Sequence, residues 1–130
     1  MQGCCTDMIS GIGVDICSIK RIKNAVMQKG FKERIFSEEE VLYADSKANP
    51  AQHYAAAFAA REAFAKATGW GIAGVGLASC CVTRTDTGPS FIFSDDISNR
   101  LKERHIAKAW LSLSHENDFA IAIVVLEAEE

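Results

Sequence analysis

Four short stretches of this chain carry residues that could do chemistry. The stretch "FAAREAFAKA", residues 58 to 67, sets Glu62 and Lys66 among alanines and phenylalanines. On a helix each residue turns about 100°, so positions four apart lie about 40° from one another and share a face. Such a pair is commonly a solvated surface ion pair worth a few tenths of a kcal/mol. The setting argues for a second use. No proline or glycine interrupts Ala51 to Thr68, and a helix apolar nearly all round is a buried one. A charge in a core is costly unless it is paired or holds a cation. The alanines near Glu62 also leave space that leucines would fill.

The second stretch is "GIGVD", residues 11 to 15. Glycines inside a strand mark a close approach of backbone or ligand, so Asp15 would stand at a strand end beside such a place, either capping a turn or serving a site. Isoleucine at position 16 breaks the dinucleotide-binding pattern, and the later "GWGIAGVG" lacks the lysine of a P-loop. The third stretch, "SLSH", carries Ser114 and His115. Adjacent strand residues point to opposite faces, so these two do not form a nucleophile and its base. A strand-end histidine beside serines suits an anion or adenine contact, or is simply half-exposed. The fourth, between Ile16 and Arg34, holds six basic residues (Lys20, Arg21, Lys23, Lys29, Lys32, Arg34) against Glu33, a local +5 in a chain of net −3. That is a solvated helix face or a surface for an anionic partner.

These residues need elements to position them. Residues 8 to 16, "MISGIGVDI", read as a buried strand, and Ser18 caps a helix expected to run to about Lys29 and stop at Gly30. Ser37 and Glu40 form a capping box for a second, short helix. The long helix spans Ala51 to Thr68 and ends at Gly69. A glycine-rich loop follows, then "LASCCVTRT" and "SFIF" as strands around the turn "DTGP". "DDISNRLKERH" is an amphipathic helix. "AWLSLSHE" and "FAIAIVVLE" form a hairpin about Asn117-Asp118, its second strand expected to be buried on both faces. The expectation is an α+β fold, an antiparallel sheet packed with helices, one of them long and buried.

The 130 residues make one domain, placed at 8–130. Residues 1–7, "MQGCCTD", read as an N-terminal extension that is non-native or disordered, with Met8 a natural start. Five cysteines without a C-x-x-C fit neither a disulfide framework nor a zinc site, so a reducing cytoplasm is expected. The longest apolar run, Phe119 to Leu126, is too short to span a membrane, and no secretory signal opens the chain. Negative net charge and few aromatics argue against nucleic acid.

Taken together, "GIGVDI", Arg21, "FAAREAFAKATG", "TGP", "SLSHE" and "AIAIVVLE" resemble one family in order and spacing, from Met8 to Glu127. The chain resembles holo-acyl-carrier-protein synthase, the small bacterial 4′-phosphopantetheinyl transferase. The resemblance implies the fold of that family and the transfer of 4′-phosphopantetheine from coenzyme A to a serine of apo-acyl carrier protein, releasing 3′,5′-ADP for fatty acid biosynthesis. It implies that Asp15 and Glu62 hold Mg²⁺ bridged to the pyrophosphate and that Lys66 lies by the phosphates. Gly88, Pro89, Ser114 and His115 are expected near the adenine and 3′-phosphate. A homotrimer with sites at subunit interfaces is implied, and the basic residues Lys20, Arg21 and Lys23 become the surface for the acidic carrier protein. Two positions depart from the family pattern: Arg61 stands for lysine before the motif glutamate, and Ala57 for an arginine. A non-catalytic coenzyme A or nucleotide-binding trimer is the alternative, disfavoured by intact Asp15, Glu62 and Lys66.

Overall fold

The computed structural model describes residues 8–130; the expected extension at 1–7 lies outside the described residues. The elements run β1 (Ile9–Ser18), α1 (Ile19–Val26), α2 (Phe31–Ile35), α3 (Glu38–Asp45), α4 (Pro50–Thr68) and α5 (Gly71–Val75), then a 3-10 turn (Leu77–Ser79), β2 (Cys80–Thr85), β3 (Gly88–Phe93), α6 (Asp95–Glu103), β4 (Ile106–Glu116) and β5 (Phe119–Ala128). Strands β1, β5 and β4 form an antiparallel sheet in that order, and β2 pairs with β3 in a separate hairpin. The expected α+β fold is the one observed. Among the described residues no helix is long and apolar enough to cross a membrane.

Helix α4 is the buried helix the composition predicts. Pro50 opens it at a position that needs no N–H donor, and Gly69 ends it in the left-handed conformation at φ 79°. Its alanines pack on the inner face of the three-stranded sheet, where Ala120, Ala122, Val124 and Leu126 of β5 are fully buried. Gly11 and Gly13 of β1 share that face. A methyl group on Gly13 would collide with the carbonyl oxygen of Ala63 and come within 2.7 Å of the Ala67 nitrogen. The two glycines therefore let the helix backbone lie directly on the strand.

The other face of the sheet is open. Ile12 (62% exposed), Val14, Ile16 (60%), Trp110 and Ile123 all face outward. Burial of β5 on both faces is thus corrected: its outward Ile121 and Val125 are half-buried and Ile123 is exposed. Residues alternate across a strand, α4 covers one face, and among the described residues no element covers the other.

Three local expectations also shift. Helix α1 is capped by Ser18 as predicted but ends at Val26, and Gly30, at φ 83°, turns the chain into α2. The glycine-rich loop contains the short helix α5. The strand expected from Leu77 begins at Cys80, after the 3-10 turn.

Candidate active site

Strand β1 and helix α4 bring Asp15, Glu62 and Lys66 together. All three line one cleft of about 580 Å³, walled by Phe31, Phe58 and Ile22 and reaching Ser18 and Arg21. Asp15 pairs with Ala122 in the strand register, placing it on the same sheet face as Gly13 and facing α4. The close approach at Gly11 and Gly13 is what sets Asp15 against the helix.

The ion pair that helical spacing offers Glu62 and Lys66 is not made. The Lys66 ammonium donates to Asp15 Oδ1 at 3.1 Å and to the carbonyl oxygen of Val14 at 3.1 Å. Among the described residues no ion pair joins Lys66 to Glu62. Burial raises the Glu62 pKa, the nearby Asp15 charge raises it further, and Lys66 partly offsets both. Burial, followed by the charge of Asp15, likewise pushes the Cys17 thiol up to about 11, so the cysteine that lines this cleft stays protonated near neutrality.

No group of three or more His, Cys, Asp or Glu side chains that could hold a metal occurs among the described residues. Two carboxylates suffice for Mg²⁺, which typically takes one or two of them and fills its octahedron with water and phosphate oxygens. Asp15 and Glu62 supply that pair in an open cleft; the Glu62 pKa is raised by burial first and by the Asp15 charge second, and a cation between the two carboxylates would relieve the second of these.

Arg61 is adjacent to Glu62 in sequence and faces the opposite way. It is fully buried and holds Glu40 at two points while donating to the carbonyl oxygens of Ala57, Leu77 and Ile35. The lysine-to-arginine departure therefore concerns the core and not the cleft. Sequence reasoning found Glu40 as a capping residue, and the capping box is present. Its second role, as partner of a residue 21 positions away, leaves no local signal.

Of the remaining expected site residues, Arg21 lines the cleft, whereas Gly88, Pro89, Ser114, His115, Lys20 and Lys23 do not. Ser114 projects from the open sheet face, opposite Ile121 in the register. His115 lies on the inner face and its Nε2 meets the Gln52 amide nitrogen atom at 2.9 Å. Gly88 and Pro89 begin β3, Pro89 pairing with Arg84. Beside them stands a cluster that the sequence did not disclose. The Arg84 guanidinium lies 4.4 Å and the Lys47 ammonium 4.6 Å from the Tyr43 ring centre, and His53 meets that ring edge-on at 5.3 Å. Burial, then the charges of Arg84, Lys47 and His115, hold the His53 pKa low. Ala57 lines a small pocket together with Tyr43, His53 and Arg84 of this cluster. Lys20, Arg21 and Lys23 are exposed on α1, whose first turn borders the Asp15 cleft.

The model of the 4′-phosphopantetheinyl transferase superfamily matches residues 11–124, a span that includes most of β1, all of α4 and every residue of the cleft. The chain belongs to that superfamily. It is 41% identical over 123 residues to the holo-[acyl-carrier-protein] synthase of Cytophaga hutchinsonii, covering 91% of this chain and 97% of that protein. The crystal structure of the Neisseria meningitidis holo-[acyl-carrier-protein] synthase superposes with a TM-score of 0.83 at 40% identity, covering 92% of this chain and 99% of that one. The Bacillus anthracis synthase, solved in complex with CoA (3′,5′-ADP), gives 0.75 at 36% identity, over 94% and 99%. Within the superfamily, the chain is an enzyme of the holo-[acyl-carrier-protein] synthase type. In this chain the β1–α4 junction presents two carboxylates and a lysine to one cleft.

Proposed function

We propose that this transferase moves 4′-phosphopantetheine from coenzyme A to a serine of apo-acyl carrier protein in a Mg²⁺-dependent reaction that serves fatty acid biosynthesis in the cytoplasm. The observation that carries this reading is the cleft shared by Asp15, Glu62 and Lys66, with basic α1 at its rim. The serine oxygen forms a bond to the phosphorus next to the pantetheine arm. The bond from that phosphorus to the bridging oxygen breaks, 3′,5′-ADP departs and one proton is released overall. Phosphoryl transfer of this kind depends on positioning and charge neutralisation more than on covalent help from the protein.

Asp15 and Glu62 would hold the cation. It would supply charge neutralisation on the pyrophosphate when bound. Lys66 reaches the same cleft and carries a positive charge for the phosphates. Lys20, Arg21 and Lys23 offer the acidic carrier protein a complementary surface.

The active assembly in this proposal is a homotrimer with the site completed across subunits. Two observations support it. Gly88, Pro89 and His115 lie away from the carboxylate cleft of their own chain, and the open sheet face exposes Ile12, Val14, Ile16 and Ile123. A contiguous apolar face of that kind marks an interaction surface.

The test is incubation with apo-acyl carrier protein, coenzyme A and Mg²⁺, followed by mass spectrometry of the carrier protein. A phosphopantetheine mass gain that disappears with chelator is expected. Coenzyme A binding with no mass gain under any divalent cation would reduce the protein to a binding module and overturn the proposal.

A further inference from the structure

Lys66 has two possible partners of opposite consequence, and the structure pairs it with the less expected one. Its ammonium sits 3.1 Å from Asp15 Oδ1 and 3.1 Å from the Val14 carbonyl oxygen, while Glu62, one helical turn earlier, has no ion-pair partner among the described residues. The Asp15 side chain is 17% exposed and that of Lys66 57% exposed. The carboxylate is therefore fixed at the strand while the lysine is free to leave.

From this pairing we infer that Lys66 and a divalent cation compete for Asp15, so that cation entry and release of the Lys66 ammonium are coupled. The inference rests on the proposal that Asp15 and Glu62 hold the cation. Lys66 occupies Asp15 as a monovalent counter-ion before substrate arrives. Two positive groups beside one carboxylate repel, so the cation binds more weakly while the ammonium stays. Displaced from Asp15, the ammonium lies within the same cleft and turns to the pyrophosphate that the cation accompanies. Coenzyme A and the cation then bind cooperatively, because each removes a cost borne by the other. One residue thus disfavours the metal in the empty site and favours it in the loaded one.

Mn²⁺ binding to the full chain, followed by the paramagnetic resonance signal of the free ion, tests this without reference to activity. In the absence of coenzyme A, Lys66→Met should tighten Mn²⁺ binding about tenfold. Lys66→Arg, which keeps the charge, should stay within about twofold of wild type. With saturating coenzyme A the gain should vanish or reverse, since the freed charge is then missing from the phosphates. Asp15→Asn identifies which idea has failed. If Asp15→Asn weakens Mn²⁺ binding but Lys66→Met leaves it unchanged or weaker, the competition is overturned and the metal assignment stands. If neither wild type nor Lys66→Met binds Mn²⁺, or Asp15→Asn binds as well as wild type, the metal assignment falls and the competition with it. Circular dichroism checks that the exposed Lys66 substitutions leave the fold intact.

Discussion

Arg61 grips Glu40 at two points, Nη1 to Oε2 at 2.7 Å and Nη2 to Oε1 at 2.6 Å, with both residues buried. Glu40 also accepts from the backbone amides of Ser37 and Val82, so the pair ties α3 and β2 to α4. Breaking one partner of such a pair leaves an uncompensated buried charge. Arg61→Met should therefore cost about 3–5 kcal/mol in urea unfolding. The double variant Arg61→Met/Glu40→Gln should cost less than the sum of the single changes. Burial pushes the Glu40 pKa up, but the Arg61 hydrogen bond and charge and the two amides outweigh it, and the net shift is downward from 4.5. Above 4.5 the ionised carboxylate gives its full stabilisation. As pH falls through the lowered native value the unfolded chain takes the proton first, and that stabilisation is lost. The decline in stability on acidification should be shallower in Glu40→Gln than in wild type.

Gly13→Ala should separate β1 from α4. The added methyl group meets backbone atoms of Ala63 and Ala67, which cannot swing aside as a flexible side chain would. A loss of about 1–3 kcal/mol is expected from overpacking. Activity should fall beyond what the unfolded fraction explains, because Asp15 moves away from Glu62 and Lys66. A variant with full specific activity in its folded fraction would show that the close approach does not set the site.

Asp15→Asn and Glu62→Gln should each lower turnover at least about a hundredfold, equivalent to roughly 2.7 kcal/mol. Both side chains line the open cleft and neither supports the core, so melting temperatures should change little. The measurement is steady-state turnover over a Mg²⁺ series. Near-normal rates in either variant would remove the carboxylate pair from the mechanism.

The open face of β1, β5 and β4 should be covered by further copies of the chain. Light scattering should give a trimer, and Ile12→Lys or Ile16→Lys should yield smaller species. Mixing a Glu62→Ala chain with a His115→Ala chain under conditions that exchange subunits should restore part of the activity, because some sites would then be intact. A monomeric wild type, or no recovery on mixing, would contradict shared sites.

Arg21→Glu should raise the apparent KM for carrier protein about tenfold, roughly 1.4 kcal/mol, and leave the KM for coenzyme A nearly unchanged. Arg21 is exposed and borders the cleft that holds Asp15. The wild-type advantage should shrink with salt, since rim charges are screened over about 8 Å at 0.15 M. A change confined to coenzyme A would assign the helix to the nucleotide instead.

The sequence by itself determined the main elements, though not α2, α5 or the 3-10 turn, and the candidate pieces of the site. Periodicity and caps act within a few residues, so Ser18, Ser37, Gly69 and the turn at Asn117 and Asp118 were legible, as was the burial of α4. Asp15, Glu62 and Lys66 stood out as candidates by type and position, and the family resemblance alone gave them roles. What only the tertiary structure decided is how charges find their partners. Lys66 and Glu62 are ideally spaced for each other on a helix, yet Lys66 pairs with Asp15, 51 positions away, because Gly11 and Gly13 let β1 lie against the helix backbone. Arg61 and Glu62 are neighbours in sequence and lie on different sides of α4, one sealed with Glu40 and one open to the cleft. Local steric preferences are written into consecutive residues. The partner of a charge is set by which backbones are close enough to bring it within reach, and that is a property of the packed molecule.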